Sequence, residues 1–307
     1  MKINQIRPQD NKFTQIITSI AQVPETLYYI GELPAERRPT VAIVGTRKPT
    51  RYGVEVTQRF AGELASKGVV VISGLALGVD AIAHRAALDA GGTTLAMQAN
   101  GLAKLAPSSN RQLGEDIVQS GGAIISEYAP DESPRLWRFL ERNRIVSGLS
   151  DAILITEASA QSGTMSTAKH ALEQGREVFV VPGNITSPLS MGCNLLIKQG
   201  ALPVTRVEDI LEVIAPQLLK PQTQLALGDN PTQTAILQHL QAGVRDGDEL
   251  QQLAGIPAGD FASELTMMEI SGLVRSLGAN QWTVRSFYGK ITAASLWSYS
   301  TFDRHWR

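Results

Sequence analysis

A short loop of glycine, threonine and basic residues follows the first apolar run of the chain. The run ends at Gly45, and Thr46, Arg47 and Lys48 follow directly before a helical pattern. Backbone amides at the N-terminus of a helix, a hydroxyl and a guanidinium can converge on one phosphate group. We therefore expect this loop to bind phosphate, and the alternative is a surface turn with solvated charges.

Two further turns of small residues follow later apolar runs. Ser73 and Gly74 end the second run, whereas Gly163 and Thr164 open a helix after a later run, with Lys169 in the middle of that helix. Buried runs that alternate with helical patterns are typical of a parallel sheet covered on both faces. The turns of small residues then lie at the carboxyl edge of the sheet, where such folds bind ligands.

The helix after Gly74 is expected to offer a second anion site. Asp80 stands at its beginning, where a carboxylate commonly caps the first backbone amides. His84 lies on the same helix, and we assign it no chemistry because no carboxylate or nucleophile accompanies it at a useful spacing.

The residue pattern favours binding over catalysis. A dinucleotide site needs G-x-G-x-x-G and an acid at the end of the second strand, but Gly45 stands alone and the second run ends in Ser73 and Gly74. Paired catalytic carboxylates, a metal cluster and a serine or cysteine triad are missing from the sequence as well. We expect no enzymatic activity, no metal and no cofactor.

Arginines and aromatic residues alternate in the segment PRLWRFLERNRIVSGLS. Arg135, Arg138 and Arg142 are spaced to share one helical stripe, and they are interleaved with Trp137, Phe139 and Leu140. Guanidinium groups pair with phosphates while aromatic faces stack on bases, so this stripe suits a single nucleic-acid strand. The alternative is a solvated helix face with a buried phenylalanine.

Composition limits the classes of protein to consider. The chain has 307 residues, 43% of them hydrophobic and 19% charged, with a formal net charge of -1. Near-neutrality argues against a protein that coats nucleic acid through bulk positive charge, so any anion site must be local. The sequence shows neither a long apolar run nor an apolar signal core, which predicts a cytoplasmic protein without a membrane contact. Cys193 is the single cysteine, so no internal disulfide is possible.

Seven apolar runs predict the strands of one large sheet in residues 40–215. They begin at Val41 and Val69 and continue at residues 93–97, 123–126, 152–156, 178–181 and 201–204. Residues 1–39 form a short N-terminal extension with one possible helix around residues 13–20, which we expect to pack on the main domain.

A second, smaller domain is predicted at the C-terminal end. A linker at 216–230 leads to residues 231–285, where three short helices and a hairpin across Ala279 and Asn280 indicate a winged helix. The third helix carries Asp260, Glu264 and Glu269 and no basic residue, which favours protein contact or packing over reading a DNA groove. Residues 286–307 form an aromatic-rich tail whose role the sequence leaves open.

These motifs, in this order, resemble the DNA-processing protein A (DprA, also called Smf) family. The resemblance covers residues 41–214, through VAIVGTRKPTRYG, VVVISGLALGVDAIAHRAAL, RFLERNRIVSGLSDAILITEASAQSGTMSTAKHALEQGREVFVVPGN and SMGCNLLIKQGALPVTRVEDIL. It implies a cytoplasmic homodimer with an extended Rossmann-like domain that binds single-stranded DNA. Such proteins protect incoming strands and help load the RecA recombinase in natural transformation.

The resemblance also implies a set of strand-binding residues. Lys48, from the loop of Arg47, and Lys169, from the helix that Gly163 and Thr164 open, are added to this set as basic residues. The family's pocket carries over onto Gly45, Thr46, Arg47, Ser73, Gly74, Phe139, Arg142, Arg144, Gly163, Thr164 and Asn194.

Two departures from the family pattern affect the expected strength of binding. Gln161 stands where many members have a basic residue, which removes one expected phosphate contact. The usual L-G-C-G-L-D-x-x-Y-P stretch reads MQANGLAKLAP here, at residues 97–107.

Two other functions remain as alternatives. One is a nucleotide-cleaving phosphoribohydrolase of the LOG-like group, whose loop reads P-G-G-x-G-T-x-x-E, but Thr167 stands at the position of the glutamate. The other is a nucleotide sensor without strand binding, which would leave the arginine stripe without a use.

Overall fold

The computed structural model describes residues 2–219, 230–271 and 273–284. The chain divides into two compact units, Met1–Leu219 and Lys220–Arg307. The predicted tail at 286–307 and residues 220–229 of the predicted linker lie outside the described residues.

The first unit is built on a nine-stranded sheet with helices on both faces. Its strands are β1 (Asn4–Ile6), β2 (Leu27–Gly31), β3 (Thr40–Val44), β4 (Val70–Ser73), β5 (Thr94–Met97), β6 (Ala123–Ser126), β7 (Ala152–Ile155), β8 (Glu177–Val180) and β9 (Leu202–Pro203). Its helices are α1 (Arg51–Ser66), α2 (Val79–Asp89), α3 (Arg111–Gln119), α4 (Leu136–Gly148), α5 (Thr164–Glu173), α6 (Met191–Lys198) and α7 (Val207–Ile214). Short 3-10 segments lie at Pro8–Asp10, Thr14–Ser19, Ser108–Asn110 and Pro216–Leu218.

The strands lie in the order β1-β2-β6-β5-β4-β3-β7-β8-β9. All seven predicted strands are present as β3 to β9, and each pairs in parallel with its neighbours among these seven. The predicted Rossmann-like α/β fold is confirmed. Because β4 and β7 flank β3 on opposite sides, the chain reverses its direction of winding at β3, and ligands of open parallel sheets bind at such switch points.

The N-terminal extension contributes two strands that the sequence patterns did not predict. β2 joins the edge of the sheet antiparallel to β6, and β1 pairs antiparallel with β2. The predicted helix around residues 13–20 is a 3-10 segment at Thr14–Ser19, with Ile17 within it and Phe13 just before it both fully buried. Neither segment has the continuous apolar composition that marked the buried parallel strands, so their strand identity comes from pairing, of β2 with β6 and of β1 with β2.

Alternation along the central strands divides the core into two layers. In β3, Val41 and Ile43 pack with Phe60 and Leu64 of α1 on one face. Ala42 packs on the other face, among residues of α4 to α6 that include Ile145, Ala168 and Leu196. Since successive side chains of a strand point to opposite faces, a strand buried on both faces must be apolar throughout.

The second unit has the three helices and the hairpin expected of a winged helix. These are α8 (Pro231–Gln241), α9 (Gly247–Ala254), α10 (Ala258–Ile270), β10 (Val274–Gly278) and β11 (Gln281–Val284). The hairpin turns at Ala279 and Asn280, whose φ angles of 48° and 57° are the positive values that a two-residue type I′ turn requires. Phe261 and Met268 pack α10 into this unit's own core.

Within the described ranges, we find no helix with both the length and the apolar character needed to span a lipid bilayer.

Candidate nucleic-acid interface

A pocket of about 380 Å³ opens at the carboxyl edge of the sheet, beside the end of β3. The loop after β3 forms one wall, the first half of α4 a second wall, and the beginning of α5 a third. The lining residues are Val44, Gly45, Thr46, Arg47, Ala76, Asp80, Phe139, Leu140, Arg142, Asn143, Ser162, Gly163, Thr164 and Thr167.

Backbone contacts fix the loop after β3 from two sides. The Thr46 amide donates to the Glu157 carbonyl over 2.8 Å, and the Thr46 carbonyl accepts from the Val79 amide over 3.1 Å. Gly45 has no room for a side chain, because an added Cβ would lie 2.7 Å from the nearest Val79 methyl carbon. The loop is therefore held rigidly at the mouth of the pocket, with Thr46 and Arg47 presented to it.

Arg47 and Phe139 meet across the pocket. The Arg47 guanidinium lies over the Phe139 ring, 5.6 Å from its centroid, which is within the range of a cation–π contact. Arg47 is exposed and Phe139 half-buried. The ring holds the long arginine side chain in place while leaving its charge accessible to an anion.

Arg142 forms the floor of the pocket. Its guanidinium donates to the Met97 carbonyl at the end of β5, and only 5% of the residue is exposed. Burial lowers the pKa of Arg142, and the nearby Asp80 carboxylate partly offsets that effect. Gly74 packs directly on the guanidinium, because a Cβ there would overlap its nitrogen atoms. Arg142 thus places a largely desolvated positive charge beneath the pocket.

The prediction that Asp80 caps α2 is wrong. The cap position is held by Gly78, and Asp80 lies within the first turn of α2. Its carboxylate accepts hydrogen bonds from the amides of Gly74 and Ala76, at 3.1 and 3.3 Å. Burial raises the pKa of Asp80, and the charge of Arg142 opposes this shift. The expected second anion site at this turn is therefore occupied by the protein's own carboxylate.

A second internal carboxylate occupies the N-terminus of α1. Glu157 follows β7, is 2% exposed, and accepts hydrogen bonds from the Thr50 amide at 2.8 Å and the Thr50 hydroxyl at 2.7 Å. Gly53 leaves room for it, since a Cβ there would overlap the carboxylate. Sequence reasoning missed Glu157, although an acid at the end of an apolar run was the signal that could have found it.

The N-terminus of α5 faces the pocket directly. Ser162, Gly163 and Thr164 all line it, and the cap residue is Gly163, which has no side chain to accept hydrogen bonds from the first amides of the helix. The positive end of the helix dipole and the guanidinium of Arg47 therefore border the same cavity. Asn143 and Leu140 also line the cavity, and sequence reasoning did not select either, although both lie in the arginine-rich segment.

The structure brings seven of the thirteen predicted residues together at this pocket. Gly74 lies directly behind Arg142, and Lys48 is exposed in the loop that carries Arg47. The seven lining residues are Gly45, Thr46, Arg47, Phe139, Arg142, Gly163 and Thr164.

Four predicted residues lie apart from the pocket lining. The Ser73 hydroxyl is fully buried and donates to the Ile43 carbonyl over 2.6 Å. Lys169 is exposed on α5 and lies 3.7 Å from Glu173. The Asn194 side chain on α6 bonds both backbone polar groups of Gly183.

Arg144 is the fourth of these residues, and it forms a buried ion pair. Its guanidinium lies 2.5 Å from the Glu127 carboxylate, and both side chains are almost completely buried. Burial raises the pKa of Glu127, while Arg144 counteracts that shift. The contact ties α4 to the segment that follows β6.

His84 is a structural residue, as the sequence indicated. The Thr94 hydroxyl donates to the Val71 carbonyl over 2.8 Å, so its oxygen accepts a hydrogen bond from Nδ1 of His84 over 2.7 Å. Burial lowers the pKa of His84 to about 3, and the charge of Arg142 adds to the effect. The ring is therefore neutral in the folded protein, with its proton on Nδ1.

In the described residues, no three histidine, cysteine, aspartate or glutamate side chains are grouped so that they could hold a metal ion.

The sequence and the fold both match a known family. The family model for DNA recombination-mediator protein A matches residues 4–215, and the DprA winged helix domain model matches residues 220–280. Protein Smf of Escherichia coli is 37% identical over 280 residues, which cover 88% of this chain and 75% of that protein. DNA processing protein DprA of Bacillus subtilis is 38% identical over 68% of this chain and 71% of its own length.

Two solved structures show the same fold. That of DprA from Streptococcus pneumoniae superposes with a TM-score of 0.65 at 35% identity, over 70% of this chain and 75% of the other. That of DNA processing protein A from Helicobacter pylori, which gives insights into its single-stranded DNA binding mode, has a TM-score of 0.62 at 32% identity, over 71% and 97% of the two chains. From its sequence match and its fold, the chain belongs to the DNA recombination-mediator protein A (DprA/Smf) family.

Proposed function

We propose that the protein binds single-stranded DNA at the pocket beside β3. The main support is the meeting of Arg47, Phe139 and the N-terminus of α5 around one cavity, above the buried charge of Arg142. A guanidinium and a helix N-terminus suit a phosphate, while the neighbouring apolar side chains suit an unstacked base. The Helicobacter pylori relative, whose structure concerns single-stranded DNA binding, supports the same assignment.

The proposed interface keeps the whole predicted set of binding residues. We assign direct phosphate contacts to Arg47, Thr46 and the N-terminal amides of α5, because these groups line the pocket. Lys48, Lys169 and Asn194 remain in the set on the family resemblance. Ser73 acts from the interior through its hydrogen bond to the Ile43 carbonyl, and Gly74 acts by leaving space for Arg142. Arg144, paired with Glu127, contributes by positioning α4.

We further propose that the protein is a recombination mediator. In this role it protects incoming strands and helps to load the RecA recombinase during natural transformation, as a homodimer in the cytoplasm. An exposed apolar face on α6 supports a protein contact, because Met191 and Leu195 lie one helical turn apart and are both exposed. The nearby strand β9 forms an edge of the described sheet, and its Leu202 is also exposed.

The pocket is suited to binding rather than to cleavage. Among the described residues that line it, Asp80 supplies the single carboxylate, and that group is bonded to the amides of Gly74 and Ala76. Thr167, which stands at the position of the LOG-like glutamate, is buried in the lining. We therefore propose that the protein is not an enzyme.

A titration of labelled oligonucleotide tests this function. A fluorescent dT oligomer and its duplex form are titrated at two salt concentrations, with particle mass measured alongside and nucleoside monophosphates assayed for release of free base. We expect tighter binding of the single strand, a salt-dependent affinity, a dimeric mass and no base release. Equal affinity for the duplex would contradict single-strand binding, and released base would favour the phosphoribohydrolase.

A further inference from the structure

The first turn of α4 exposes a tryptophan next to the proposed pocket. Trp137 is 53% exposed, and the neighbouring Leu136 and Leu140 are 89% and 51% exposed. Soluble proteins rarely leave large apolar side chains clustered on one helical turn without a binding role. The cluster of Leu136, Trp137 and Leu140 is called the α4 platform below.

The platform is continuous with the pocket. Leu140 lies one turn beyond Leu136 and Trp137 on the same side of α4, and it also lines the pocket beside Phe139 and Asn143. Trp137 precedes Leu140 by three residues, about 4.5 Å along the helix axis at 1.5 Å per residue. A strand that leaves the pocket past Leu140 would therefore bring its next nucleotide to Trp137.

The Trp137 ring is held in a defined position. The Arg138 guanidinium lies over it, 5.3 Å from its centroid, and also over the Tyr128 ring at 4.3 Å. Arg138 is itself fixed by the Glu132 carboxylate at 2.5 Å and the Ser133 carbonyl at 3.0 Å. One side of the indole is therefore supported by a buried cation, while half of the residue remains open to solvent.

Charge around the platform is compatible with a DNA strand. Arg135 at the beginning of α4 and Arg47 at the pocket are both exposed. The nearby acid Glu132 is neutralised by its contact with Arg138. An exposed, supported indole between basic groups is the arrangement that stacks unpaired bases, because every base offers a flat π-face.

We propose that Trp137 stacks on a base of the bound strand, on the nucleotide next to the one whose phosphate lies in the pocket. The proposal rests on the proposed function and deepens it, because it assigns a second subsite outside the pocket. The ligand is an unpaired nucleobase of any sequence, since stacking on an indole does not read hydrogen-bonding edges.

The test compares variants of the full chain with two kinds of strand. Binding of a labelled dT oligomer, and of an abasic strand of equal length, is measured for wild type, Trp137→Ala, Trp137→Phe and Val213→Ala at several salt concentrations. Val213 is an exposed apolar residue on α7 and serves as the matched control.

We expect Trp137→Ala to bind dT at least about fivefold more weakly, Trp137→Phe to lose less, and Val213→Ala to bind like wild type. The salt dependence of Trp137→Ala should remain that of wild type, because no phosphate contact is removed. On the abasic strand, wild type and Trp137→Ala should bind equally.

Equal dT binding by wild type and Trp137→Ala would overturn the proposal and leave a protein partner as the occupant of the platform. A loss of the same size on dT and on the abasic strand would also overturn it, because the effect would not come from a base. Failure of the proposed function itself is distinguishable, since wild type would then not prefer the single strand.

Discussion

The Arg47 guanidinium lies 5.6 Å from the centroid of the Phe139 ring, so the loop after β3 and the first half of α4 face each other across one pocket. The two residues are far apart in sequence, and the parallel order of the sheet brings them to the same edge. An exposed cation over an aromatic ring can bind a phosphate and a base of the same strand, and this contact is the basis of the first prediction.

Replacing Arg47 tests the phosphate contact. We expect Arg47→Ala to weaken binding of a dT oligomer about tenfold at low salt, because a charge-assisted hydrogen bond is lost. The slope of log affinity against log salt should fall by about 0.7, the value for one phosphate of a single strand. Arg111→Ala serves as the control, since this exposed arginine on α3 already pairs with Glu115. An unchanged slope for Arg47→Ala would contradict the proposed contact.

Gly74 tests whether the position of Arg142 matters. A Cβ at Gly74 would overlap the Arg142 guanidinium, so Gly74→Ala should displace it, weaken DNA binding and lower the free energy of unfolding by about 1–3 kcal/mol. Gly62→Ala is the matched control, because the added Cβ lies 3.6 Å from the Ala86 carbonyl oxygen, an ordinary contact, and alanine favours a helix. Urea denaturation and oligonucleotide titration measure the two effects. Wild-type binding by Gly74→Ala would show that Arg142 does not need this position.

The buried pair of Arg144 and Glu127 should contribute to stability as a unit. Arg144→Met leaves the Glu127 carboxylate buried without its counter-ion, so we expect the free energy of unfolding to fall by about 3–5 kcal/mol. The double variant Arg144→Met, Glu127→Met should be clearly more stable than the single one, since it removes both charges. A double-mutant cycle by urea denaturation measures the coupling, and strictly additive losses would argue against the ion pair.

His84 should make folding stability sensitive to acid. Its pKa is about 3 in the folded protein and near 6.5 in an unfolded chain, so the unfolded state binds more protons between these values. The stability from the neutral ring is complete above pH 6.5 and is lost as the pH falls towards 3. We expect a decrease of about 2 kcal/mol in the free energy of unfolding between pH 7 and 5 from this group.

The variant His84→Asn isolates that contribution. Asparagine keeps an amide donor near the position of Nδ1 but does not titrate in this range. The free energies of unfolding of wild type and of His84→Asn are measured by chemical denaturation at pH 7 and pH 5. Asp80 and Glu127 also contribute to the pH dependence of this free energy, in both proteins. If the variant lost as much stability as wild type between the two pH values, His84 would not be the group responsible.

Local patterns predicted the parallel sheet and the turns of small residues at its edge. The runs ending at Gly45 and Ser73 are apolar on both faces, which is the composition that a central parallel strand needs. The winged-helix hairpin was predictable for a related reason, since Asn280 tolerates the positive φ that a tight turn demands. Strands β1 and β2 could not be predicted, because their identity depends on pairing with a distant strand.

The candidate site was predictable in outline only. Arg47, Phe139 and Gly163 lie in three segments that the sequence indicated as binding elements. The predicted parallel topology implied that these segments meet at one edge of the sheet. Sequence did not reveal that Asp80 binds the amides of the turn before α2, or that Glu157 occupies the N-terminus of α1. Thr50 and Glu157 are 107 residues apart, and a hydrogen bond over that separation leaves no periodic signal in the chain.

The sequence by itself determined the family, the order of strands and helices along the chain, and the residue types available to bind an anion. Those properties follow from local composition and spacing. Only the tertiary structure decided which charges are free to bind a ligand: Arg47 is exposed at the pocket, Arg142 is buried beneath it and Arg144 is neutralised by Glu127. The reason is physical, because burial and pairing depend on what packs against each guanidinium, and those neighbours come from other segments of the chain.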